Sequence, residues 1–272
     1  MQCILTALKA ESQPLIDHFK LIRDSTYPFP AFRNGSISLI ALGVGKKNIH
    51  HRITTFYNSV QENNIQFINI GIAGGNPTST KIGECYFLHE IKDEMSGALY
   101  YPDILVKHSL EEISLVTVEN VVSNGESRYR GLVDMEASEI FNVCSSIVPL
   151  QRLAFIKIVS DHMDLNFKEI IALPISTLIS KHMASIELFF QRFNRLLLKE
   201  TPILSETDLE WINDTVQKLS LTETQSLHLT HCVKGFRIRL ERRQFPEIEK
   251  ISTLNKSSQK ILFRKICEKL ST

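Results

Sequence analysis

The chain has 272 residues, 43% of them apolar and 22% charged, with a formal net charge of +1. That balance is ordinary for a folded protein and excludes a global attraction to nucleic acid or to an anionic membrane. The longest apolar runs, residues 4–8 and 67–73, fall far short of the roughly 20 residues that span a bilayer, which excludes a transmembrane helix.

From residue 2 to about residue 164 short apolar runs alternate with helical patterns, the order that builds an α/β sheet covered by helices. Residues 2–8 read as a buried strand. Lys9 and Glu11 follow that run, with no basic start and no small-residue cleavage site, so export is not expected. Cys3, Cys85, Cys144, Cys232 and Cys267 are odd in number and scattered, so they read as reduced thiols, and the protein is expected to be cytoplasmic.

Residues 11–20 place Leu15, Ile16 and Phe19 at helical spacing, with Pro14 expected in the first turn. Residues 32–42 carry a hairpin signal at Asn34-Gly35. After Gly43-Val44-Gly45 come a helix at 46–60, a strand at 66–72 and a turn at Gly74-Gly75-Asn76-Pro77. Further strands are expected at 84–91, this one suited to a sheet edge, and at 113–122 and 153–160, with a helix at 136–146. Beyond residue 167 the pattern is helical only: 167–198 broken at Pro174, then 206–219, 223–243 and 257–270, punctuated at Phe245-Pro246. Residues 1–200 therefore read as one α/β domain and 201–272 as a helical extension, with Thr201-Pro202 as the boundary.

In an open α/β sheet ligands bind beyond the carboxyl ends of the strands. Three acids occupy such positions: Glu11, Glu136 and Asp161. Each also has a purely structural explanation, since a carboxylate at a helix start caps free amides and complements the dipole. Their joint occurrence with two glycine-rich strand ends, Gly43-Val44-Gly45 and Gly71-Ile72-Ala73-Gly74-Gly75, points to one functional rim. Gly43-Val44-Gly45-Lys46 lacks the spacing of a phosphate-binding Walker loop, which argues against nucleoside triphosphate hydrolysis.

Five segments appear in a telling order: Ala7-Leu8-Lys9-Ala10-Glu11, Gly43-Val44-Gly45-Lys46, Asn69-Ile70-Gly71-Ile72-Ala73-Gly74-Gly75, Asp134-Met135-Glu136-Ala137 and Ile158-Val159-Ser160-Asp161. Through them residues 1–195 resemble the 5'-methylthioadenosine/S-adenosylhomocysteine nucleosidases and, more broadly, the nucleoside phosphorylases. The resemblance implies a three-layer α/β/α sandwich with a mixed central sheet, followed here by a C-terminal helical appendage. It implies cleavage of the N-glycosidic bond of a purine-type nucleoside, without metal or organic cofactor, and with phosphate as co-substrate only if the reaction is a phosphorolysis. Asp161 then resembles the acid that protonates the leaving base, Glu11 the base that activates water, and Glu136 the ligand of the ribose hydroxyls. Met135, Gly43, Gly74, Ile72, Val122 and Ser160 fall at substrate-binding positions. A homodimer or larger homo-oligomer is implied too.

Two departures define an alternative. The family usually carries a polar residue where this chain has Ile72, and the span 92–130, with Val121, Val122, Ser123 and Asn124 as remnants of the base pocket, is shortened. No arginine falls at the phosphate-clamp positions, and Arg23, Arg33, Arg52, Arg128 and Arg130 read as surface charges. Hydrolysis is favoured over phosphorolysis, and the alternative is a non-catalytic nucleoside-binding or regulatory protein that keeps the fold.

Two clusters lie in the tail. His228, His231 and Cys232 share a helical face, but without a fourth ligand a structural face is expected and no metal. Lys234, Arg237, Arg239, Arg242 and Arg243, with Phe236 among them, read as a solvated face or a partner contact; nucleic-acid binding by this tail is the lesser reading.

Overall fold

The computed structural model describes residues 1–60, 64–125, 128–198, 203–240, 244–246 and 256–271. The chain forms two compact units, Met1–Leu197 and Leu198–Thr272. The expected Thr201-Pro202 boundary and Arg242 and Arg243 lie outside the described residues. Among the described residues no helix is long and apolar enough to cross a membrane.

In the first unit the strands are β1 (Gln2–Thr6), β2 (Ile22–Arg23), β3 (Ala31–Asn34), β4 (Ile37–Ala41), β5 (Gln66–Gly75), β6 (Cys85–Asp93), β7 (Leu99–Tyr100), β8 (Glu111–Thr117), β9 (Leu132–Asp134) and β10 (Leu153–Asp161). They form one mixed sheet. β1 lies parallel between β4 and β5, and β5 is parallel to β10. β10 is antiparallel to β6, β6 and β8 are parallel, β8 and β9 are parallel, and β9 returns antiparallel to the end of β5. Five strands thereby close into a ring, while β1, β4, β3 and β2 extend it as an open wing.

Helices α1 (Lys9–Phe19), α2 (Ile49–Ser59), α3 (Ala137–Ser145), α4 (Phe167–Ala172), α5 (Ile175–Ser180) and α6 (Met183–Leu198) complete the unit. The two-residue strand period sorts neighbours onto opposite faces. Leu5, Phe67 and Phe155 pack with Ile53 of α2 and Phe141 of α3. Ile4, Ile68 and Ile156 pack with Leu15 of α1, Ile179 of α5 and Phe190 of α6. This is the expected sandwich.

Four local expectations are corrected. Residues 84–91 do not form an edge: β6 is hydrogen-bonded on one side to β8 and on the other first to β10 and then, at Ile91 and Lys92, to β7. Its opening residues, Cys85 to Leu88, are buried on both faces, which is the pattern of an interior strand. Gly74 and Gly75 are not turn residues but the last residues of β5, where β9 takes the side that β1 leaves after Asn69 while β10 still pairs with Gly74 on the other. Glycine is needed for close approach: a Cβ on Gly75 would lie 2.3 Å from Thr80 Oγ1. The turn begins at Asn76, whose Oδ1 accepts the amide and hydroxyl of Thr78. The strand expected at 113–122 ends at Thr117, where Val118 turns away while its amide donates to Asp134 O.

Pro14 is the sixth residue of α1, beyond its first turn. Proline there deprives the Ala10 carbonyl of its helical donor. Ser176 Oγ of α5 donates to that carbonyl at 2.7 Å instead, so the flaw in one helix becomes the docking point of another.

The second unit contains α7 (Glu206–Lys218), α8 (Glu223–Arg239) and α9 (Lys256–Ser271). Ser205 and Thr222 cap α7 and α8, each accepting the amide three residues on. Ile212, Leu229, Val233, Phe236, Ile266 and Leu270 form its core. Arg237 of the basic run is bound bidentately to Asp208, Nε to Oδ2 at 3.0 Å and Nη2 to Oδ1 at 2.7 Å.

Candidate active site

β1 ends at Thr6 and the chain enters α1 within two residues, which sets Glu11 in the first turn of the helix. Its carboxylate is buried. Oε2 accepts the amides of Ala7 at 2.7 Å and Leu8 at 2.8 Å, and Oε1 accepts the Ile72 amide at 2.9 Å. Glu11 thus both caps its helix and bridges to β5. The bridge depends on Gly71, because a Cβ there would sit 2.7 Å from Glu11 Oε1. Burial raises the Glu11 pKa against the opposing pull of Lys157 and the three amides.

β9 leads through Met135 to Glu136 at the start of α3. Glu136 Oε1 accepts the Gly45 amide at 2.7 Å, so the glycine-rich loop after β4 aims an N–H at this acid. Gly43, with φ at +82°, makes the turn possible. Lys46 of that loop pairs with Asp93, which also accepts the Ser138 hydroxyl.

Asp161 is the last residue of β10. Ser160 Oγ donates to Oδ1 at 2.5 Å, and the Met163 amide to Oδ2 at 2.9 Å. Met163 has φ at +59°, a conformation that costs a non-glycine residue of order 1 kcal/mol or more and tends to be kept where function requires it. Burial raises the Asp161 pKa, opposed by the Ser160 and Met163 hydrogen bonds.

These strand ends open onto one pocket with about 600 Å³ of space, counting solvent at its mouth. Glu11, Glu136 and Asp161 all line it, together with Met135, Ile72, Gly74, Val122 and Ser160. Gly43 does not; its neighbour Val44 does. The remaining wall is largely apolar, with Leu8, Val118, Val121, Met163, Phe167 and Ile170 among its residues. Among the described residues no lysine, arginine or histidine lines the pocket. Arg52 donates to Ala41 O at 2.6 Å, and Arg128 stands 3.4 Å from Glu94 on an adjoining cleft.

Two residues of the site escape the sequence reading. Asp134 lines the pocket, and Lys157, buried in the middle of β10, places Nζ 2.8 Å from Asp134 Oδ2. Asp134 also accepts Thr117 Oγ1 at 2.8 Å and the Ala137 amide at 3.0 Å. Burial opposes the Lys157 ammonium, but the Asp134, Glu136 and Glu11 carboxylates outweigh it and raise its pKa. Glu136 is pushed up to about 7, first by burial and then by Asp134, with Lys157 and the Gly45 amide pulling the other way. A signal existed: a lysine inside an apolar strand is almost never buried without a partner.

The sheet order and the helices on both faces give the first unit the fold of the 5'-methylthioadenosine/S-adenosylhomocysteine nucleosidases. Among its solved neighbours are nucleosidases that act on 5'-methylthioadenosine or S-adenosylhomocysteine. The 5'-methylthioadenosine nucleosidase of Arabidopsis thaliana in apo form superposes with a TM-score of 0.57 at 16% identity, over 71% of this chain and 95% of that one. A variant of the Chlamydia trachomatis nucleosidase bound to MTA gives 0.56 at 16%, over 70% and 98%. The Neisseria meningitidis nucleosidase in complex with methylthio-immucillin-A gives 0.55 at 17%, over 68% and 97%. At these identities the likeness is one of fold. No family model and no curated protein sequence matches the chain.

Proposed function

We propose that the first unit hydrolyses the N-glycosidic bond of a purine-type nucleoside. The observation that carries this reading is the convergence of Glu11, Glu136 and Asp161, from three distant parts of the chain, on one largely apolar pocket. Bond cleavage leaves positive charge on the sugar and negative charge on the base. Asp161 gives its proton to the departing base, which takes the electron pair of the C–N bond. Glu11 accepts a proton from the attacking water as its oxygen bonds to the anomeric carbon. Glu136 holds the ribose hydroxyls, and its near-neutral pKa lets it accept or donate there. Lys157 is a positioning residue: its ammonium offsets Asp134, Glu136 and Glu11, so that carboxylates can crowd one sugar.

The charge of the wall favours water over phosphate as nucleophile. Four carboxylates, Glu11, Asp134, Glu136 and Asp161, line the pocket, and Lys157 is committed to Asp134. A phosphate dianion would meet like charge without a clamp.

Two observations favour a second reading, a nucleoside-binding protein without turnover. Ile72 lines the pocket where the resembled family usually has a polar residue, and both oxygens of Glu11 already accept amides. Incubating the purified chain with a nucleoside panel, with and without phosphate, separates the two. Base released equally in both conditions is the expected result. Release only with phosphate would overturn hydrolysis, and calorimetric binding without any release would favour the second reading.

A further inference from the structure

We propose that the second unit binds a divalent metal ion of the Zn²⁺ type between α8 and α9, through His228, Cys232 and Cys267. His228 and Cys232 lie four residues apart and so share one face of α8, with Nε2 and Sγ 3.8 Å apart. Cys267 comes from α9, and the three donor atoms lie within 4.8 Å of one another. Tetrahedral zinc, with bonds of about 2.0 to 2.3 Å, needs donors about 3.5 to 3.8 Å apart. The His228–Cys232 edge already has that length, and the others need a contraction of at most about 1.3 Å, which side-chain rotation supplies.

Donor identity comes from the fold rather than from the sequence run. His231 is exposed and stands outside the group, while Cys267, distant in sequence, enters it. Phe263, one helical turn before Cys267, stands edge-on to the His228 ring at 6.0 Å between centroids and steadies the imidazole against α9. One imidazole and two thiolates form a borderline-soft set suited to zinc. Cys267 is buried, Cys232 partly so and His228 exposed, so the fourth position is open to water or an added donor. The unit has a small core, and small scaffolds gain most from a staple between elements. A disulfide would also link α8 to α9, but it would leave the approach of His228 unexplained.

The test uses the full chain, stripped with a chelator and kept reduced. Titration with Co²⁺ should give one equivalent bound, with the visible bands of tetrahedral thiolate-ligated cobalt, displaced by Zn²⁺. Cys232→Ser and Cys267→Ser should each abolish the bands, His228→Ala should weaken binding at least ten-fold, and His231→Ala should change nothing. Because Cys267→Ser alters a buried position, Zn²⁺ protection of both thiols from iodoacetamide, read by peptide mass in the unmutated chain, tests the same site. Cobalt bands that persist in Cys232→Ser, or thiols alkylated equally fast with and without Zn²⁺, would overturn the proposal. So would reduced protein that binds no cobalt while oxidised protein shows a Cys232–Cys267 disulfide.

Discussion

The three pocket acids differ in what holds their protons. Burial outweighs the two donors of Asp161 and raises its pKa, which favours the protonated form that an acid needs. Asp161→Asn is expected to lower turnover by about 10² or more while calorimetry shows nucleoside binding unchanged. Glu136 carries a different consequence. Its pKa rises from an ordinary 4.5 to about 7, so the folded chain retains a proton that the unfolded chain releases. Folding stability from this group is therefore fully present below about pH 4.5 and lost as pH rises through about 7, by on the order of 3 kcal/mol. Glu136→Gln removes that penalty: melting curves should show the variant gaining on the parent between pH 5 and pH 8, while its affinity for ribosides falls more than for deoxyribosides. No such gain would mean that Glu136 is ionised throughout. The acids were legible because each directly follows a strand. Lys157 and Asp134 were not joined because their pairing crosses from β10 to the end of β9, a register that no local pattern encodes. Gly43 was assigned to the ligand where its real service is a positive φ, and the amide that matters belongs to Gly45.

Elements are placed by small close approaches that a sequence shows only as residue types. At Gly71 the approach is to Glu11, so Gly71→Ala should push the carboxylate aside and break its bond to the Ile72 amide. About 1 to 3 kcal/mol of stability should be lost by chemical denaturation, along with most of the base-releasing activity. Retained activity would show that the Glu11–Ile72 bridge is dispensable. Ser176→Ala should strand the Ala10 carbonyl that Pro14 has already deprived of its donor, at a cost of about 1 to 3 kcal/mol. The alternation of strand and helix was readable from apolar period alone, and so was the break at Pro174. Partner exchange along β5 was not: two glycines ending an apolar run look the same whether the chain turns or a neighbouring strand comes too near for a side chain.

At the scale of the molecule, among the described residues those that line the pocket all lie in the first unit. The resemblance that suggested the fold also suggests a homodimer or larger assembly, and light scattering at micromolar concentration should give at least twice the monomer mass; a monomer would remove that expectation. The ring of strands has its own bearing on how the protein is made. β5 is complete by residue 75, but it cannot acquire β10 until residue 161 has been synthesised, and β6 waits equally long for the same partner. Through that interval a nascent chain holds two apolar strands with open edges, the condition in which chains join one another instead of themselves. The last strand to arrive closes both edges at once and delivers Asp161, so ribosome-bound chains stalled before residue 161 has emerged should be the sticky ones, and full-length chains should lose that stickiness.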